Sequence, residues 1–313
     1  MAPLSTKEKL KFLQAYMLKW HQEWRQAHPS NISGFRIGKK FSKGKESRNY
    51  AIIFQVKKKK HLSKLAPENQ IPASLKIRFP DKKTRIIQTD IEETGGFSFH
   101  QGITGAVRSH NSTGFGSAGL FVTDDDNNVF LITNYHVVAG DFIKKNKFYY
   151  RRPAEQTTND VKITLPDNTI MNGRFETGTI SHEVDVSFTE VFIEPGIELN
   201  RLPDDNRISG RLSGRGIPAS MIGKNIRVYS FYNKSGAGAK IKSNSSVLYT
   251  ANDAVYFQDI IQISPKVTQG GDSGGAVLTE SNAIVGIIVG GDSSYSYAIP
   301  FYKINDFKNV YLP

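Results

Sequence analysis

Three residues carry the side-chain types that a nucleophilic hydrolysis needs: His136, Asp185 and Ser273. Ser273 stands in Gly270-Gly271-Asp272-Ser273-Gly274-Gly275. A serine hydroxyl is a poor nucleophile until a base within hydrogen-bond reach takes its proton. It also needs N–H groups aimed at the oxyanion that forms on the substrate carbonyl. Glycines on both sides free the backbone for unusual dihedrals and let a substrate come close. The backbone N–H groups of Gly271 and Ser273 are therefore the expected oxyanion donors, and Asp272 is expected to turn inward and hold the loop. The bland alternative is a plain glycine-rich turn. His136 follows the strand-like Thr133-Asn134-Tyr135 and precedes Val137-Val138. A neutral imidazole suits it as the base, although a lone histidine after a strand is also a common structural residue. Asp185 stands among Val184, Val186 and Phe188, where a carboxylate is costly unless something pairs with it. Holding the tautomer of His136 would justify it; a strand edge facing water is the other explanation. His110 and His182 fall in expected loops, and His61 and His100 precede or border this region, so they are weaker candidates.

The elements that must position these residues are mostly short strands. Gly119-Leu120-Phe121-Val122 and Val129-Phe130-Leu131-Ile132 flank an Asp/Asn-rich loop, Thr123 to Asn128, which reads as a hairpin. Further β-prone runs start at Val161, Val184, Ile226, Ile260, Gly275 and Ile284. Repeated short strands without a helical period between them predict barrels or a sandwich. Phe301 to Val310 is expected to close the chain as a short helix.

The first third differs in composition. Residues 1–100 carry 21 Lys and Arg against 8 Asp and Glu, a net of +13, while residues 101–313 sum to −1. The break predicts a boundary near Gly95-Gly96, separating a basic unit over 1–95 from a second unit over 96–313. Ser5-x-x-Glu8 is a capping-box pattern. Leu10, Leu13, Met17, Trp20 and Trp24 recur at helical spacing, and Pro29 ends the run. That stripe is expected to pack on the rest of the chain; a dimer seam and a membrane-surface helix are the alternatives. Strand-like Ala51–Val56, Leu75–Phe79 and Ile87–Ile91 complete a small α+β unit. Lys57 to Lys60 form a run after one of these strands: a solvated edge, or a contact for an acidic protein or nucleic acid.

The chain of 313 residues has no cysteine. That excludes a disulfide framework, thiol catalysis and thiolate metal sites. Met1 to Trp24 mixes lysines into its apolar positions, unlike a signal peptide, and no apolar run is long enough for a membrane span. The expectation is a cytoplasmic protein needing no cofactor and no metal; the sequence leaves its oligomeric state open.

The chain order His136, Asp185, Ser273 resembles that of the trypsin/chymotrypsin-like serine peptidases. The resemblance covers about residues 115–305 and rests on Gly119–Val122, Thr133–Val138, Val184-Asp185-Val186, Gly271–Gly275, Val285-Gly286-Ile287 and Tyr297–Pro300. The Asn-x-His and Ala-Ile-Pro details are more similar to the cysteine-free bacterial branch. The basic first third is similar to the N-terminal region of some bacterial and plant trypsin-like proteins. The resemblance implies a mainly β fold, a chymotrypsin-like double β-barrel of two six-stranded barrels preceded by the small α+β unit. His136 and Asp185 would come from the first barrel and Ser273 from the second. It implies peptide-bond hydrolysis through an acyl-enzyme, with a protein or peptide as substrate. Two departures accompany it. Gln101-Gly102 before Ile103-Thr104-Gly105 is not a trypsin-type cleavage site, so Asp272 is expected to have a partner other than a newly exposed N-terminus. The pocket positions fall on Val267, Val289, Gly290 and a bulky residue near Tyr295, which predicts a small or apolar residue at the cleavage site. The rival reading is a non-hydrolytic protein- or nucleic-acid-associated module on the same fold. The basic first third is expected to regulate or recruit, docking an acidic partner or the acidic loop Asp124-Asp125-Asp126.

Overall fold

The computed structural model describes residues 4–27, 31–42, 45–99, 107–109, 115–139, 160–165, 168–193, 197–202, 204, 206–250 and 256–313. Helix α1 (Thr6–Ala27) is followed by β1 (Ile32–Ser42), β2 (Lys45–Val56), β3 (Ser74–Arg78), β4 (Thr84–Glu93) and β5 (Ser98–Phe99). Then come β6 (Val107–Ser109), β7 (Leu120–Thr123), β8 (Val129–Thr133), helix α2 (Tyr135–Ala139), β9 (Asp160–Thr164), β10 (Ile170–Ile180) and β11 (Asp185–Val191). The remainder is β12 (Gly210–Arg211), β13 (Asn225–Tyr229), β14 (Ala237–Tyr249), β15 (Tyr256–Ser264), β16 (Ala276–Thr279), β17 (Ala283–Gly291), β18 (Ser296–Pro300) and α3 (Phe301–Phe307).

The protein is mainly β, with two sheets. The first holds six strands in the order β6-β9-β10-β11-β8-β7. In the second, β13-β16-β17-β18-β15-β14 pair in sequence and β13 also pairs with β14, so these six strands close a ring. Closure removes the free edges an open sheet would expose. Their alternate side chains fill two adjoining cores: Ile226, Val228, Ile261, Ile263, Val277 and Ile288 in one, and Ile260, Leu278, Ile287 and Tyr297 in the other, which continues into the first sheet.

Pairing also runs across the expected boundary. At its far end β14 pairs with β1, with Phe35 opposite Val247, and β1-β2-β4-β3 continue the sheet. Four strands lie here where the sequence suggests three. β1 escapes a period-2 reading because Ser33, Gly34 and Gly38 stand at buried or closely approached positions. A Cβ at Gly34 would sit 2.5 Å from the Val247 carbonyl oxygen. β14 is masked by its polar run, as Ser243, Ser245 and Ser246 are buried rather than at a turn.

Helix α1 starts with the capping box: Glu8 Oε2 accepts from Ser5 N at 2.7 Å, and Ser5 Oγ accepts from Glu8 N at 3.2 Å. Its buried face runs Leu10, Leu13, Met17, His21 and Arg25. Trp20 and Trp24 flank that face half-buried. The helix packs into one core with Phe35, Phe54, Ile77, Val247 and Tyr249. Pro29 and the Ile103-Thr104-Gly105 segment lie outside the described residues, as do His100 and His110. Asp124 of the acidic loop caps its own turn through Asp126 N and Asn128 N, and among the described residues Lys308, just after α3, lies 3.7 Å from its carboxylate.

Candidate active site

His136 enters at the start of α2, directly after β8. Asp185 is the first residue of β11, which pairs with β8 (Ser187 opposite Thr133). That register sets the two side chains against each other. Asp185 Oδ2 lies 2.5 Å from His136 Nδ1. Its Oδ1 accepts from two backbone donors at the open end of α2, Tyr135 N at 2.7 Å and His136 N at 3.2 Å. These N–H groups have no partner within a helix, so the carboxylate caps α2 and orients the imidazole with one side chain. Asn134 Nδ2 adds a bond to the Asp185 carbonyl at 2.9 Å. The explanation of Asp185 as an edge residue facing water is excluded, because it is wholly buried.

Ser273 arrives from the second sheet, on the loop between β15 and β16. Two consecutive turns shape it. Asp272 N donates to Gln269 O at 3.1 Å with Gly271 at φ +97°, and Gly275 N donates to Asp272 O at 3.0 Å with Gly274 at φ +91°. Both glycines occupy the turn position that demands positive φ. Gly274 has no room for a side chain either, since a Cβ would lie 2.5 Å from Ser117 O. Ser273 Oγ is 2.9 Å from His136 Nε2 and 3.3 Å from Val289 O. His136 therefore bridges Ser273 and Asp185, one ring nitrogen to each, and the structure brings all three sequence candidates together. Among the described residues, no acceptor takes the N–H groups of Gly271 and Ser273, the pair expected at an oxyanion.

Asp272 turns inward, as its position suggests. Oδ1 accepts from Ser230 Oγ at 2.6 Å and Tyr232 N at 3.3 Å, and Oδ2 accepts from Gln269 N at 2.9 Å. Its partners are thus neutral donors. Burial pushes its pKa up, partly offset by these hydrogen bonds. Ser117 is a loop-holding residue that sequence reasoning missed. Its Oγ donates to Gly271 O at 3.0 Å and accepts from Phe231 N at 2.7 Å, and its N–H donates to Ser273 O at 2.7 Å. The available signal was Gly116 and Gly119 beside it, where a Cβ would meet Ser273 O at 2.7 Å and Gly274 O at 2.5 Å.

Around the expected pocket, Ser296 Oγ accepts from Val267 N at 3.1 Å and lies 2.7 Å from Thr268 Oγ1. The nearby carboxylate of Asp292 is buried and occupied by Tyr297 OH at 2.7 Å, Ser294 N and Tyr295 N. Its pKa is raised by burial. Tyr295 OH donates to Glu92 of β4 at 2.6 Å. His182 stacks on Tyr256 and His61 bonds Ser63, both apart from the triad. Among the described residues no cluster of His, Asp and Glu could hold a metal ion, and no helix is long and apolar enough to cross a membrane.

The sequence matches no protein-family model and no curated protein. Among solved structures the chain is similar to trypsin/chymotrypsin-fold serine proteases. One is a glutamic acid specific serine protease described as using a histidine triad in substrate binding: 14% identity, TM-score 0.47, over 67% of this chain and 98% of that one. A Nocardiopsis protease, NAPase, aligns at 13% identity and TM-score 0.41, over 62% of this chain and 90% of that one. The MamO protease domain from Magnetospirillum magneticum aligns at 11% identity and TM-score 0.39, over 64% and 95%.

Proposed function

We propose that this chain is a serine endopeptidase acting through Ser273, His136 and Asp185. The observation that carries the reading is the position of His136, with Nε2 2.9 Å from Ser273 Oγ and Nδ1 2.5 Å from Asp185 Oδ2. Ser273 Oγ attacks the scissile carbonyl while His136 Nε2 takes its proton. Asp185 keeps the proton of His136 on Nδ1, leaving Nε2 free to accept. The N–H groups of Gly271 and Ser273 receive the oxyanion. His136 then returns the proton to the leaving amine, and water repeats the sequence on the acyl-enzyme. Val267, Val289 and Gly290 at the expected pocket positions, with the nearby Asp292 carboxylate taken by Tyr297 OH, Ser294 N and Tyr295 N, favour a small or apolar residue on the acyl side of the cleaved bond.

A buried, hydrogen-bonded triad is needless in a module that only binds. The test is labelling of the intact protein by a fluorophosphonate, with peptide-library cleavage profiling of wild type beside Ser273→Ala. Covalent modification confined to Ser273, and cleavage lost in the variant, is the expected result. An unlabelled Ser273 would favour the non-hydrolytic alternative. The basic first third would also recruit acidic partners, a reading favoured by the exposure of Lys58, Lys59 and Lys60 at the end of β2. Retention of the full chain on a polyanion column should then fall steeply with salt.

A further inference from the structure

The short strand β5 occupies the edge an acyl-side peptide would need. Ser273 Oγ lies 3.3 Å from Val289 O on β17, and the next residues along that strand are Gly290 and Gly291. One side of this stretch pairs with β18, Gly290 opposite Tyr297 and Gly291 opposite Ser296. The other side is a strand edge that leads to Ser273 through Val289. A peptide presenting a carbonyl to Ser273 gains most by adding itself there as an antiparallel strand, with backbone bonds supplying affinity. That place is taken: Phe99 is antiparallel to Gly290, and Ser98 to Gly291.

The occupant is fastened along its length. Thr94 O accepts from Ser293 N at 3.1 Å and Ser293 Oγ at 2.8 Å. Phe97 bridges to Thr250 and packs against Phe257 and Tyr297. Glu92, two residues before the strap, receives the Tyr295 hydroxyl. The Phe99 ring lies against the His136 ring, with centroids 4.4 Å apart. The site beside it is buried: Ser273 is 0% exposed and His136 2%. Gly290 makes the approach possible, because a Cβ there would sit 2.3 Å from Ser98 O.

We infer that residues 94–99 form an intramolecular strap whose strand β5 occupies the β17 edge in place of substrate, so that an extended peptide must displace it to reach Ser273. This inference rests on Ser273 being the nucleophile. It gives the first third a regulatory role, since the strap continues directly from β4, which the Glu92–Arg36 pair, 2.9 Å apart, ties to β1. A partner that pulled on the β4 end would open the site.

The experiment compares wild type, Phe99→Ala and Ser98→Pro. Phe99→Ala removes the ring beside His136. Ser98→Pro disrupts strand pairing at an exposed position. In variants shown to be folded by circular dichroism, the rate of Ser273 labelling by a small fluorophosphonate should rise about tenfold, equivalent to ~1.4 kcal/mol of lost strap docking. On wild type itself, hydrogen exchange at residues 97–99 should accelerate once a peptidyl phosphonate with three acyl-side residues is attached to Ser273. Equal labelling rates in wild type and folded variants, or unchanged exchange after attachment, overturns the strap while leaving the nucleophile intact. No labelling of Ser273 in any of the three proteins overturns both the strap and the peptidase reading.

Discussion

Asp185→Asn isolates the tautomer of His136 from the packing around it. Asp185 Oδ1 faces two buried backbone donors, Tyr135 N and His136 N. If the new amide turned its NH2 toward them, both donors would lose their acceptor, at about 1–3 kcal/mol each. The oxygen therefore stays on that side and the NH2 faces His136 Nδ1. An NH2 there can only donate, so Nδ1 must accept and the ring proton moves to Nε2. Nε2 then faces Ser273 Oγ as a donor and cannot take its proton. The expected loss in kcat is roughly 10⁴-fold, about 5.5 kcal/mol of barrier. The fold should survive, because α2 keeps its cap. The assay is steady-state hydrolysis of a peptide amide, with thermal melting alongside. A variant that melts like wild type and keeps kcat within tenfold would refute the assignment of Asp185 as the group that holds the imidazole.

Gly274→Ala should destabilise the protein by roughly 2–5 kcal/mol, because φ +91° and a Cβ 2.5 Å from Ser117 O combine backbone strain with overpacking; a melting curve unchanged from wild type would contradict the loop geometry. His21 is buried against Tyr249 OH at 2.8 Å, and burial lowers its pKa to about 4. The unfolded chain binds this proton near pH 6.5, so stability should be intact above that value and decline as pH falls toward about 4, by at most ~3 kcal/mol. Denaturant midpoints measured across pH 4–7 check this, and His21→Phe should flatten the slope. Removing residues 1–95 should yield aggregated rather than constitutively active protein, because it uncovers the β14 edge together with Val247 and Tyr249; a monodisperse truncated protein would show that the second sheet tolerates the loss.

The geometry of the candidate site was legible in the sequence because it is local in character. Gly271-Asp272-Ser273-Gly274-Gly275 dictates a double turn with positive φ at two glycines, and a carboxylate among Val184, Val186 and Phe188 requires a buried partner. Most strands of the second part were legible for a similar reason, as their apolar runs sit between turn residues. β14 and β10 were harder. β14 buries serines where an apolar residue is expected, and β10 alternates Met171, Gly173 and Phe175, a face on which glycine gives no hydrophobic signal.

What the sequence concealed is non-local. The charge break near residue 95 separates the composition of the two parts, yet charge is a property of exposed side chains, and the first third joins the rest through backbone pairing and a shared apolar core. Lys39 and Lys40 belong to the same strand as Phe35 and Ile37, so one strand adds to the basic surplus and to the joint at once. The strap shows this more sharply. Phe97, Ser98 and Phe99 are an unremarkable triplet after two glycines, and nothing in their types marks them as neighbours of His136. Their position follows from the edge of two glycines that β17 offers beside Ser273, where Gly290 leaves room for the Ser98 carbonyl. A serine held ready by its base is useful only when substrate can reach it. In the peptidase reading, the edge that would receive an extended peptide is the one that takes a segment of the protein's own chain, and the strength of that internal pairing would set how readily the site opens.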